Sequence, residues 1–118
     1  MMESFGQSTH KEVLEACVYI SMHVDRKISL DEIAQKLFLN PSYFSRLFKK
    51  EVGITFVEYI KKLKMERAKE LLNETQLTIG EISERVGYDG QSYFIKLFKQ
   101  HEGVTPIEYR RVNAAKPC

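Results

Sequence analysis

Two stretches of this 118-residue chain concentrate side chains that could meet a polyanion. Residues 41–50 carry Arg46, Lys49 and Lys50 and no acid, and residues 90–100 carry Lys96 and Lys99 and no acid. At about 100° per residue, Phe44, Leu47 and Phe48 take one face of the first stretch. Ser42, Ser45, Arg46, Lys49 and Lys50 are left on the opposite face. In the second, Phe94, Leu97 and Phe98 point one way, and Ser92, Ile95, Lys96 and Lys99 point the other. Gln91 stands at the start and Gln100 on the flank. These side chains suit duplex DNA. Lysine and arginine neutralise phosphates and release counterions. Serine, glutamine and arginine hydrogen-bond base edges, and arginine can grip guanine with two bonds. Ile95 reads as an exposed apolar residue among polar ones, and a thymine methyl would explain it.

Other chemistries find less support. His10, His23 and His101 are scattered along the chain, without paired Cys or His at metal-ligand spacing. No Gly-rich phosphate loop and no nucleophile–base arrangement is visible, so the expectation is no catalysis, no metal and no cofactor. Cys17 falls in a helical apolar pattern and reads as a buried thiol. Cys118 is the last residue, and the two cysteines do not make a disulfide framework.

The elements that would position the basic faces are announced by helix starts. A Ser or Thr three residues before Glu satisfies two orphan backbone donors reciprocally. The pattern occurs at Thr9/Glu12, Ser29/Glu32, Thr55/Glu58, Thr78/Glu81 and Thr105/Glu108. Asn40 before Pro41 and Asp89 before Gly90 mark two more starts. Apolar spacing agrees, with Val13, Cys17, Ile20 and Val24 in a first helix over about 10–25. Ile33 and Leu37 anchor a second, Phe44, Leu47 and Phe48 a third near 41–51, and Phe56, Ile60, Leu63, Ala68 and Leu71 a longer fourth over about 56–72. Ile82 and Val86, then Phe94, Leu97 and Phe98, then Ile107 with Tyr109 mark three more. The expected fold is all-α with about seven helices.

The pattern occurs twice. At an offset of 49, Ser29, Glu32, Ile33 and Leu37 meet Thr78, Glu81, Ile82 and Val86. One extra residue then enters, and at an offset of 50 Ser42-Tyr43-Phe44 meets Ser92-Tyr93-Phe94, and Leu47-Phe48-Lys49 meets Leu97-Phe98-Lys99. Gly53-Ile54-Thr55 likewise meets Gly103-Val104-Thr105. Each copy has a short helix, a tight turn and a second helix, which is helix-turn-helix spacing. The small Ala34 and Ser83 let the paired helices approach. In the first turn Phe38 stands where the second has Gly87. A left-handed backbone there would strain Phe38 by about 1 kcal/mol.

Charge is partitioned within each copy. The short helices are acidic, with Asp31 and Glu32 against Lys36, and Glu81, Glu84 and Asp89 against Arg85. A net charge of +2 therefore hides two basic faces. Hydrophobic residues at 43% and charged residues at 29% are a globular balance, not that of a disordered chain. No apolar run spans a bilayer and the start is unlike a secretory signal, so a cytoplasmic protein without a membrane partner is expected. A linking helix of about 17 residues spans roughly 25 Å. With the flanking helices, this compares with the roughly 34 Å between successive major grooves on one face of DNA.

The run Lys64-Met65-Glu66-Arg67-Ala68-Lys69-Glu70-Leu71-Leu72, then Ile79-Gly80-Glu81-Ile82-Ser83-Glu84-Arg85-Val86-Gly87-Tyr88, then Tyr93-Phe94, Phe98-Lys99 and Gly103-Val104-Thr105-Pro106 resembles the DNA-binding domain of the AraC/XylS family of bacterial transcription regulators. The resemblance covers about residues 10–112. It implies two helix-turn-helix subdomains, about 10–55 and 73–112, joined by a helix over about 56–72 and reading adjacent major grooves. Residues 1–9 then read as a linker or expression remnant, and 113–118 as a tail. By position, base reading falls on Ser42, Ser45 and Arg46, and on Gln91, Ser92, Ile95 and Lys96. Lys49, Lys50 and Lys99 fall on phosphates. Ile95 and Lys96 depart from the small polar residue and arginine common there, so a target preference does not carry over. The implied partners are double-stranded promoter DNA, RNA polymerase, and a sensing or receiver domain beyond this chain, which reads as an excised C-terminal fragment. The lead-in from Val13 to Ile60 resembles the output domain of a two-component response regulator. A helical protein–protein interaction module without DNA binding is the alternative.

Overall fold

A computed structural model of the chain describes residues 11–114. Among them are seven helices and no strand: α1 (Lys11–Met22), α2 (Leu30–Lys36), α3 (Pro41–Val52), α4 (Phe56–Glu74), α5 (Ile79–Arg85), α6 (Gln91–Glu102) and α7 (Pro106–Ala114). The expectations for Thr9, His10, Cys118 and the segment 1–9 lie outside the described residues. The chain divides into two compact units. One comprises residues up to Val24 with Ile28–Lys62, and the other Asp25–Lys27 with the residues from Leu63 onward.

In the first unit α1 and α2 both pack on α3. Val13, Ala16 and Ile20 of α1 are buried, as are Ile33, Ala34, Phe44, Leu47, Phe48, Phe56 and Ile60. The centre of this unit is aromatic. Phe44, Phe48 and Phe56 make mutual edge-on contacts at 5.7–5.9 Å, and Tyr59 closes on Phe48 at 5.3 Å. Such geometry aligns ring edges with ring faces, which fixes orientation as well as burying area. Asn40 caps α3 by accepting the Tyr43 N–H at 3.0 Å.

The second unit repeats this plan. Met65, Ala68, Leu71 and Leu72 of α4 bury with Ile79, Ile82, Val86, Phe94, Leu97 and Phe98. Phe98 sits between Phe94 at 5.9 Å and Tyr109 at 5.6 Å. Both arms of the capping box close at Thr78/Glu81 and again at Thr105/Glu108. The helix α4 runs on to Glu74, and carbonyls at and just past its end find donors. Arg110 Nε donates to Leu72 O at 3.1 Å, and its terminal nitrogen to Thr75 O at 3.2 Å.

Several expectations are corrected. The first helix ends at Met22 instead of continuing to about 25, and its inner face is Val13, Ala16 and Ile20. Cys17 lies one position off that face and is half-buried, not buried. Ile107 is exposed. Pro106 is buried in its place, with Tyr109 half-buried behind it. Asp89 does not cap α6, whose N-cap is Gly90 without a side-chain bond. The Asp89 carboxylate pairs instead with Lys27 at 2.6 Å.

The two tight turns share one hydrogen-bond scheme. Phe38 N–H donates to Gln35 O and Leu39 N–H to Ala34 O. In the second copy Gly87 N–H donates to Glu84 O and Tyr88 N–H to Ser83 O. This helix ending needs a left-handed residue just past the cap. Phe38 adopts it at φ 60° and Gly87 at φ 81°. Phe38 is 94% exposed, so no packing offsets its strain. A Cβ on Gly87 would lie 2.6 Å from Lys64 Nζ and 2.8 Å from the Arg26 backbone. Chemical denaturation should therefore separate the two positions. Phe38→Gly is expected to stabilise by up to about 1 kcal/mol, as relief of strain exceeds the added chain entropy. Gly87→Ala should cost about 2 kcal/mol or more. A destabilised Phe38→Gly would show that the aromatic ring holds the turn.

Candidate nucleic-acid interface

Each unit turns one amphipathic helix outward. In α3, Phe44, Leu47 and Phe48 are buried, while Ser42, Arg46, Lys49 and Lys50 are exposed and Ser45 is half-buried. In α6, Phe94, Leu97 and Phe98 are buried, while Gln91, Ser92, Lys96 and Lys99 are exposed. Ser42, Arg46, Lys49 and Lys50 thus share one face of α3, and Ser92, Lys96 and Lys99 one face of α6, whereas Gln91 starts α6 on its flank with its side-chain amide beside Gly80. Ile95 is the exception. It is half-buried against the core of its unit, so its apolar character is partly explained by packing, contrary to its reading as an exposed residue. Lys49, Lys50 and Lys99 sit in the last turns of their helices, where a cation also complements the helix dipole.

The acid that ends α6 is neutralised locally. Glu102 pairs with Lys69 at 3.2 Å and with His101 at 2.9 Å. Burial pushes the Glu102 carboxyl up, but hydrogen bonds from His101 and Lys69 outweigh it and hold the group below the ordinary range. Two exposed aromatics join the faces at matched positions, Tyr43 in α3 and Tyr93 in α6. Their signal in the sequence is the repeated Ser-Tyr-Phe. His23 stacks on Tyr19 at 4.2 Å. Among the described residues no cluster of His, Cys, Asp and Glu could hold a metal ion, and no helix is long and apolar enough to cross a membrane.

Sequence reasoning missed one buried cation. Lys64 of α4 is only 4% exposed, and its Nζ donates to Arg26 O and to Val86 O, each at 2.8 Å. It lies 5.6 Å from the centre of the Tyr88 ring. Burial lowers its pKa to about 8. Asp25 raises it and Arg26 lowers it further. Burial also pushes the Tyr88 phenol up to about 12, with Tyr93 adding to the rise. The available signal was position, since Lys64, Ala68 and Leu72 recur at steps of four along one apolar stripe.

Two units, each with a short helix, a tight turn and an outward basic helix, define a tandem helix-turn-helix domain. The family model described as "Helix-turn-helix domain" matches residues 33–112, and the chain belongs to the AraC/XylS-type family of helix-turn-helix transcription regulators. It is 36% identical over 95 residues to the arabinose operon regulatory protein of Escherichia coli K12, covering 76% of this chain and 32% of that protein. It is 39% identical over 84 residues to the transcriptional regulator YtdP of Bacillus subtilis, covering 70% of this chain and 11% of that protein. The chain therefore spans a third or less of these curated relatives. Among solved structures, the C-terminal domain of AraT, a response regulator from Geobacillus stearothermophilus, matches at a TM-score of 0.86 and 44% identity. That match covers 88% of this chain and 87% of that one.

The buried Lys64 and the half-buried Tyr88 make stability depend on alkaline pH in two directions. The folded Lys64 gives up its proton near 8, while the unfolded chain keeps it to about 10.5. The unfolded state then binds more protons between these values, so stability rises with pH across that window. Tyr88 acts oppositely above its ordinary value of 10.0, where the unfolded phenol ionises first. Urea unfolding followed from pH 7 to 10 should show the rise in the natural sequence and a flattened profile in Lys64→Met. The same rise in both would contradict the assignment. Asp25, Arg26 and Tyr88 act on Lys64, and a cleft beside them is lined by these three residues with Lys27, Glu84, Gly87 and Asp89.

Proposed function

We propose that this chain is the DNA-reading part of a bacterial transcription regulator, and that α3 and α6 each enter a major groove of adjacent duplex segments. The observation that carries this reading is the matched pair of locked helices. Phe44, Leu47 and Phe48 bury one side of α3, and Phe94, Leu97 and Phe98 bury one side of α6. Each leaves a basic face free of acid between residues 41–50 and 90–100. In this reading Ser42, Ser45 and Arg46 meet base edges from α3. Gln91, Ser92, Lys96 and the outer edge of Ile95 do so from α6. Lys49, Lys50 and Lys99 meet phosphates. A groove that admits an α-helix and presents a distinct pattern for each base pair is the major groove of B-form DNA. The deep, narrow groove of A-form RNA suits such helices less well.

The likeness to AraT supports the output role of a two-component response regulator, and a cytoplasmic location belongs to the same proposal. A receiver or sensing domain and RNA polymerase complete the proposed set of partners. No metal, cofactor or catalytic step belongs to this reading. A purely protein-binding module draws on the exposed Phe38 and on Leu14, Val18 and Met22 along α1, and it leaves the basic faces without a role.

Salt-titrated fluorescence anisotropy with labelled duplexes tests the assignment. Arg46→Ala should cost about 1–3 kcal/mol and relax preference at one base position, while Lys49→Ala should weaken all duplexes alike and lower the salt slope by about one. Equal loss on every duplex would demote Arg46 to a phosphate contact. No binding at low salt would favour the protein-binding module.

A further inference from the structure

We propose that Lys64 is a positioning residue for α6, holding the second outward helix through the turn that precedes it. The role of α6 in reading DNA is taken from the function proposed above. The positioning itself is a property of the fold.

The two copies fix their outward helices differently. The start of α3 is tied by the Asn40 side chain on the Tyr43 N–H. The start of α6 has no such bond, because its N-cap is Gly90. The turn before α6 is held from behind instead. Lys64 Nζ donates to the carbonyl of Val86, the residue that ends α5, and to the carbonyl of Arg26. One ammonium therefore binds the turn to the segment Asp25–Lys27 inside the second unit. The Tyr88 ring beside Nζ touches Phe94 at 6.0 Å and Tyr93 at 5.9 Å, both in the first turns of α6. Gln91 and Ser92 stand in the same turn. Ser83 Oγ also donates to Tyr88 O, at 3.3 Å.

Gly87 belongs to this arrangement. Any Cβ there would press on the ammonium and on the Arg26 backbone. In the first copy the matching position carries Phe38, which is almost fully exposed. Glycine is therefore required in one copy and dispensable in the other for a reason of space as well as backbone conformation. A core role alone does not account for Lys64. Methionine has similar length and would fill the same channel without the cost of burying a charge. What methionine lacks is the pair of bonds to two carbonyls from different segments. The exposed Lys27–Asp89 pair ties the same segments but contributes little, being open to water.

The test uses the full chain as Lys64→Met and Lys64→Arg, with two readouts. Amide hydrogen exchange of residues 86–94 is compared with that of α3. The footprint of hydroxyl-radical cleavage is read on a duplex recovered from a random pool. Lys64→Met is expected to speed exchange at 86–94 by about tenfold or more while α3 keeps its protection. It should also lose the footprint on one half of the duplex only, and Lys64→Arg should restore part of both. Lys64→Gln, which shortens the side chain and cannot hold both carbonyls, should give the same confined pattern and serves if Lys64→Met does not fold. Unchanged exchange at 86–94 with both halves protected would overturn the proposal. Uniform loss of protection across both units, with both footprint halves weakened together, would also overturn it, since that is the signature of global destabilisation. If the natural sequence protects no duplex, the DNA reading fails, and the exchange comparison alone decides the positioning role.

Discussion

The orientation of each outward helix about its own axis depends on one constraint, the burial of two phenylalanines and a leucine on a single helical stripe. Phe44, Leu47 and Phe48 do this in α3, and Phe94, Leu97 and Phe98 in α6. Each such side chain contributes about 1.5–3 kcal/mol on burial, which far exceeds what any surface pair of these helices could supply. Rotation by one residue, about 100°, would expose a phenylalanine and bury Arg46 or Lys96. The outward face is therefore set by the core, not by the polar residues on it. Those residues lie outside the buried core, which leaves their types open to selection by a partner.

The same plan is executed with different local devices. In the first unit Asn40 caps the outward helix and the turn carries a strained, solvent-exposed Phe38. In the second, the cap is a glycine, the turn residue is a glycine against a backbone wall, and a buried lysine gathers two carbonyls. The first turn is stabilised by a local side-chain bond. The second is stabilised by a contact over 38 residues of chain, from Lys64 back to Arg26. The two outward helices are thus equivalent in their core packing and unequal in what fixes their start.

Much of this was legible in the sequence because it is local and periodic. Capping pairs, the Phe-x-x-Leu-Phe stripe and the offset repeat each report a fixed spacing, and the helices follow them. Phe38 in a left-handed turn was anticipated from its alignment with Gly87. The misreadings share a different cause. Asp89 looked like a cap by its type, but its carboxylate is engaged by Lys27, 62 positions away. Cys17 and Ala16 compete for one helical face, and the smaller residue takes it. Ile107 yields its place to Pro106, and Ile95 leans on the core from the flank of α6. Lys64 was overlooked because its partners are backbone carbonyls, and no residue type in the sequence advertises a carbonyl that needs a donor.

The repeated plan leads to one proposal above all, that a single chain carries two DNA-reading heads. Selection of bound duplexes from a random pool, at a salt concentration where nonspecific binding is weak, tests it most directly. Two heads require an enriched motif with two half-patches about one helical turn apart, roughly 10 base pairs. A pool that stays random, with affinity falling steeply as salt rises, would contradict it by leaving phosphate attraction as the whole of the interaction.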